Sequence, residues 1–191
     1  MNELNTAPQE PAVKSQAQLD LEEGIRFLKN EDVAQAASAF HNALRGFEEE
    51  KNDKGIANAS DRLGDICFER GDFPQALNHF NRAFAIAAAP GDELSMTYLK
   101  RKLARTHRGL KQYSEAMAIY ADLLDVYRDF NNPGGTVQVF EEMAEMYLDM
   151  GERSKAADAY RTAANIHQNF KHSRHAEALI QKAKAAEEGA I

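Results

Sequence analysis

The 191-residue sequence has a single cysteine, Cys67, which excludes an internal disulfide framework and a cysteine-based zinc site. It also lacks a basic excess. The formal net charge is −7 and the pI is near 5.4, which argues against a nucleic-acid or anionic-membrane binder, since those surfaces need clustered cations to release counterions. No stretch approaches the roughly 18 apolar residues of a membrane span. The opening MNELNTAPQEPAVKSQ has neither the basic start nor the apolar run of a signal peptide, so a cytoplasmic protein without a membrane span is expected. Strand-like alternation is missing, and Val and Ile are scarce outside helical spacing, which makes the fold class all-α. There is no glycine-rich phosphate loop, no nucleophile elbow and no H-E-x-x-H motif. No enzymatic activity, cofactor or metal is therefore expected.

What the chain does contain is a repeat. Ala36, Ala76, Ala116 and Ala156 stand 40 residues apart, and the same step links Phe40, Phe80, Tyr120 and Tyr160. The clearest copy, LGDICFERGDFPQALNHFNRA at 63–83, alternates small and large apolar residues at the spacing of two antiparallel helices joined by a tight turn. Helix pairs are predicted at 17–29 with 33–50, 55–70 with 73–88, 92–109 with 113–130, and 134–150 with 153–170. Asp32 and Asp72 suit N-caps, Gly71 the left-handed residue after a helix, and Pro74 the first helical turn. Pro90-Gly91 and Pro133-Gly134-Gly135 mark breaks between pairs. The repeats thus fall at about 17–54, 55–91, 92–132 and 133–172, within a domain spanning 16–188. An alanine- and charge-rich helix at 173–188 suits a cap on the open end, and the polar residues 1–15, with Pro8 and Pro11, read as a disordered tail. Each pair has a wider apolar stripe than its own partner helix can cover, so neighbouring pairs must stack.

The set Leu63-Gly64, Cys67, Ala76, Phe80 and Ala83, with its counterparts Gly24, Phe27, Ala36, Phe40, Ala43 and Ala144, Tyr147, Ala156, Tyr160, Ala163, resembles the tetratricopeptide repeat. The usual repeat of that family is about 34 residues, and a 40-residue period lies nearer HEAT or armadillo units. Six extra residues can lengthen both helices by under a turn each while keeping the Gly, aromatic and Ala positions, which a HEAT unit does not require. The resemblance implies an α-α superhelix of four helix pairs whose first helices line a concave groove. It also implies a scaffold or adaptor that holds a peptide or helix of a partner there. The alternative class is a regulatory or assembly subunit acting through self-association or by docking onto an enzyme complex.

Groove positions implied by the resemblance are Tyr98, Arg101, Arg105 and Arg108 on the first helix of the third pair, with the arginines at i, i+4 and i+7 on one face. The equivalent positions of the second pair are Asn58, Asp61, Asp65 and Phe68, with Glu69 beside them, and those of the fourth are Gln138, Glu141, Glu145 and Leu148, with Asp149 next. A basic stripe thus runs between two acidic ones. Asp61 and Glu141 are expected to face Arg101, and Asp65 and Glu145 to face Arg105. Either the charges form a ladder of exposed pairs, each worth about 0–1 kcal/mol, or the arginines grip an acidic partner segment with Tyr98 adding an aromatic contact. In the first repeat the groove positions are Leu21, Ile25 and Leu28, an apolar end suited to an amphipathic partner helix, a second copy of the chain, or the chain's own tail. The two-carboxylate clamp of chaperone co-factors is not matched, since Leu21, Ile25, Arg62, Tyr98 and Lys102 hold those positions. His167, His172 and His175 read as surface histidines, and His107 and Cys67 as interior residues one repeat apart.

Overall fold

The computed structural model describes residues 14–191. Among them are nine α-helices and no strand: α1 Gln16–Lys29, α2 Val33–Glu49, α3 Asp53–Glu69, α4 Phe73–Ala88, α5 Glu93–Gly109, α6 Tyr113–Asp129, α7 Pro133–Asp149, α8 Arg153–Asn169 and α9 Ser173–Glu188. Each helix packs on the next, and α1 also reaches α3. The result is an all-α solenoid of four helix pairs closed by a capping helix. The expected mobile tail lies outside the described residues except for Lys14, which pairs with Glu22 at 2.6 Å, and Ser15, which forms a capping box with Gln18 at the start of α1.

Helices α2 to α9 are 16 or 17 residues long because one turn is used eight times. The residues at 31, 51, 71, 91, 111, 131, 151 and 171 all have positive φ, between 49° and 76°. Each lies 20 residues from the next, so the 40-residue repeat is two 20-residue steps. At every step the N–H of the residue after the positive-φ one reaches back to the carbonyl five residues earlier, as Asp72 does to Cys67 at 2.9 Å, while Gly71 N–H donates to the Phe68 carbonyl at 2.9 Å. This double bond pattern satisfies carbonyls that the helix end would otherwise orphan. The next residue is at once an N-cap. Asp32, Asn52, Asp72, Asp92 and Asn132 accept from the backbone three residues on. Asp32, Asp72 and Gly71 thus act as the sequence predicts. Pro133, expected in a break, instead starts α7 in its first turn.

The repeat alanines are where helices touch. Ala36, Ala76, Ala116 and Ala156 are fully buried, as are Phe40 and Tyr120, with Phe80 and Tyr160 nearly so. On the first helices Gly24 and Gly64 receive the rings of Phe40 and Phe80, and a Cβ on either glycine would fall 2.5 Å from ring carbon. Ala104 and Ala144 take the same positions opposite Tyr120 and Tyr160, with no exposure. The core is four clusters strung along the stack rather than one centre, as expected when each repeat contacts only its neighbours.

Candidate groove for a partner segment

The first helices of the pairs, α1, α3, α5 and α7, carry the charged residues singled out by the sequence, and α5 is the cationic one. Its positive side chains divide by direction, because successive residues turn by about 100°. Arg101 and Arg108 point toward α7. Arg101 donates to Gln138 Oε1 at 2.6 Å and Glu142 Oε1 at 3.0 Å, and Arg108 meets Glu145 at 2.6 Å and also Asp149. Lys102 points the other way, to Asp61 at 2.6 Å and Asp65 at 2.7 Å on α3, with its ammonium 4.4 Å from the centre of the Tyr98 ring. Lys100 pairs with Asp122 on α6.

This pairing corrects the expected one. Asp61 and Asp65 face Lys102 rather than Arg101 and Arg105. Glu145 takes Arg108, and Glu141 turns to Lys182 on α9 at 3.1 Å. The acceptor stretches were found by adding or subtracting 40, whereas the observed partners stand 37 and 41 residues away. Each cation sits between two acceptors one helical turn apart on the neighbouring helix, as side chains do when ridges of one helix enter grooves of the next. Lys102 was missed as a groove cation. The 37/41 spacing to Asp61 and Asp65 is the signal that would have found it.

Burial works against the Lys102 ammonium, but its bonds to Asp61 and Asp65 hold its pKa above the ordinary lysine value. Burial also lifts the Glu142 carboxyl, with Arg101 drawing it back. Arg108 is raised for the same reason as Lys102, by Asp149 and Glu145 against its burial.

Arg105 differs from the other α5 cations. It is exposed, it has no carboxylate partner among the described residues, and its guanidinium lies 4.9 Å from the centre of the Phe68 ring. Phe68 in turn meets Phe73 edge to face at 5.4 Å. These groups line a cleft of about 580 Å³ together with Lys111, Tyr113 and Arg108, the last with its paired carboxylates Glu145 and Asp149. A guanidinium held on an aromatic face with its forked N–H groups free can receive a carboxylate. Tyr98, 53% exposed, stands two helical turns earlier on the same helix. At the other end of the stack, Leu21, Ile25 and Leu28 are half-buried against a cluster drawn mainly from α2 and α3 that includes Phe40, Leu44, Ile56 and Leu63, so the stack already covers part of the apolar end.

The histidines lie at the surface as expected, His172 and His175 exposed and His167 half-buried. The turn between α8 and α9 gathers His167, His172 and His175, with ring centres 5.1 to 6.2 Å apart. Among the described residues no group of three is arranged to hold a metal ion. Cys67 and His107 are partly buried in successive layers, and His107 Nδ1 lies 2.7 Å from Gln112 Oε1. No described helix is long and apolar enough to cross a membrane.

The tetratricopeptide-repeat signature matches residues 18–89. The Arabidopsis thaliana protein kinesin light chain-related 3 is 25% identical over 155 residues, a stretch that makes up 78% of this chain and 23% of that protein. This chain therefore spans under a quarter of that relative's length. Among solved structures, the apo form of RapI superposes with a TM-score of 0.76 at 15% identity, covering 92% of this chain and 65% of that one. A Rap protein complexed with competence and sporulation factor gives 0.69 at 14% identity over 92% of this chain and 50% of its own. At these identities the structural likeness is one of fold. Residues 18–89 thus carry tetratricopeptide repeats, and the 20-residue turn grammar with the Gly, Ala and aromatic pattern of each pair continues the same 40-residue helix-pair architecture along the rest of the stack.

Proposed function

We propose that the chain is a non-enzymatic interaction scaffold that holds an acidic segment of a partner protein along α5, with Arg105 as the grip. The observation that carries this reading is the contrast within one helix. Arg101, Lys102 and Arg108 each meet two acceptors on a neighbouring helix, whereas Arg105 stands exposed over Phe68 with its donors unclaimed among the described residues. The paired cations keep the groove wall in register, and the free one is available to a ligand. Among proteins of the same fold, a Rap protein has been solved with competence and sporulation factor bound, which supports a groove able to hold a partner. Self-association or docking through Leu21, Ile25 and Leu28 is less supported, because these side chains are already half-buried against the first core cluster. A cytoplasmic setting belongs to the same reading and rests on the lone cysteine.

The test is calorimetric titration with a panel of acidic peptides. Arg105→Ala should weaken the tightest binder about tenfold or more, since a charge-assisted bond contributes roughly 1.5–3 kcal/mol. Binding should also weaken as salt rises. Equal affinity of wild type and Arg105→Ala for every peptide would remove Arg105 from the site.

A further inference from the structure

The carbonyl that closes each turn belongs to a residue whose side chain also packs at the junction with the next helix. On the second helices these residues are Phe47, Ala87, Tyr127 and His167. At the first and third junctions an aromatic ring meets a glycine. A Cβ on Gly55 would lie 2.4 Å from the Phe47 ring, and one on Gly135 would lie 2.6 Å from the Tyr127 ring. The second junction breaks this rule, because its pair is Ala87 and Ser95, with neither ring nor glycine. A cleft of about 1060 Å³ opens there, with Ala57, Ile86, Ala87 and Leu99 in its wall and Tyr98 at its edge. It lies between α3 and α5, the two helices that also carry the Lys102 pairs.

The charged residues of the cleft are mainly acidic. Asp53 and Asp92, with Asp61 already paired to Lys102, line it against one cation, Lys54. Helix α4 ends at this cleft with no basic residue in its last turn, so the negative end of its dipole is uncompensated. An apolar side chain would fill the space left by the missing ring, and a positive charge beside it would suit the rim.

We infer that the cleft at Ala87 and Ser95 receives a large aromatic side chain of a partner segment that carries a basic residue next to it. This rests on the reading that the groove holds a partner segment, and it adds a second anchor to Arg105. Seven helical residues separate Tyr98 from Arg105, or about 10 Å. An extended partner would span that distance in about three residues, so its basic-aromatic anchor and its acidic residue stand three to four places apart.

The protein has no tryptophan, so the emission of a tryptophan peptide reports on the ligand alone. The probes are the blocked peptide Lys-Trp-Lys-Ser-Gly-Glu-Glu, its reversed sequence, a Trp→Ala version and a version with both lysines changed to glutamate. With the wild-type chain, one of the two orientations should show a blue shift and bind at least tenfold tighter than the Trp→Ala and lysine-to-glutamate versions. The double variant Ala87→Phe/Ser95→Gly plugs the cleft with the chain's own aromatic-glycine pair. It should keep helical circular dichroism, lose the blue shift and bind at least tenfold more weakly. Arg105→Ala should weaken the Trp and Ala peptides alike while leaving the blue shift at saturation, so loss of one anchor is distinguishable from loss of the other. The inference is overturned by equal binding of the Trp and Ala peptides to wild type, by no blue shift at millimolar peptide, or by a folded double variant that binds as wild type does. The peptide comparisons on wild type decide the matter even if the double variant does not fold.

Discussion

Tyr120 is the largest side chain with no exposure, yet its hydroxyl has no hydrogen-bond partner among the described residues. Burial pushes the phenol pKa up, and the nearby Glu142 carboxylate adds to the effect. The equivalent positions in the first two repeats are Phe40 and Phe80, which fill the same contact without a polar atom. Tyr120→Phe should therefore raise stability by about 1 kcal/mol, the lower end of what an unmet buried hydroxyl forfeits. A urea midpoint that stays level or drops would show that the hydroxyl is satisfied after all. Ser60 poses the same question on a smaller scale, being fully buried with an unpartnered Oγ, whereas the buried Thr106 Oγ1 donates to the Lys102 carbonyl at 2.7 Å. At Gly64 the sign reverses. A methyl group there meets the Phe80 ring at 2.5 Å, and Gly64→Ala should lower stability by roughly 1–3 kcal/mol through overpacking.

At the scale of the helix, the eight turns share one geometry but not one chemistry. Gly71, Gly91 and Gly151 adopt positive φ freely, and Asn131 tolerates it, while Glu31, Lys51, Lys111 and Lys171 hold the same conformation with a Cβ. The left-handed region disfavours such residues by roughly 1–2 kcal/mol, part of which glycine gives back in unfolded-state entropy. Lys111→Gly should accordingly gain up to about 1 kcal/mol in a thermal or urea melt, with no change in the far-ultraviolet spectrum. Caps vary likewise. Gln112, Glu152 and His172 make no side-chain cap bond, so Gln112→Asp should stabilise α6 by about 1 kcal/mol. A Gln112→Asp melt superimposable on wild type would mean that the N-terminus of α6 is satisfied by solvent. These turn residues made the helices legible in the sequence, since capping and left-handed closure depend on a few consecutive residues. Predicted and observed boundaries agree within two residues at both ends of every helix.

For the whole molecule, pH is an informative variable. Burial holds the His79 pKa below its ordinary 6.5, helped by His41, whose ring lies 6.3 Å away, and by Arg82. His167 is lowered too, by burial and by His175 and His172. A histidine with a depressed folded pKa binds its proton more readily in the unfolded chain. The stability it supports is complete above about pH 6.5 and is lost as pH falls through the folded value. Thermal midpoints should thus decline from pH 7.5 toward pH 5.5, and His79→Gln should flatten the decline. A His79→Gln slope equal to that of wild type would show that other groups set it. The groove is less legible than the fold. Arg101, Arg105 and Arg108 share a face in any helix, but which of them meets a carboxylate depends on how α7 and α3 are turned relative to α5.

The sequence by itself determined the helices, the 40-residue two-helix repeat and the all-α stack. Each of these follows from local contacts, from caps, and from small and aromatic residues recurring at one interval. Only the tertiary structure decided that Lys102 rather than Arg101 and Arg105 holds Asp61 and Asp65, that Arg105 is left over Phe68 without a carboxylate, and that a cleft opens where Ala87 and Ser95 replace ring and glycine. The reason is the offset between stacked helices. A side chain slots between two residues of its neighbour, 37 and 41 positions away, and the rotation that sets this offset comes from packing the whole stack, which no single repeat encodes.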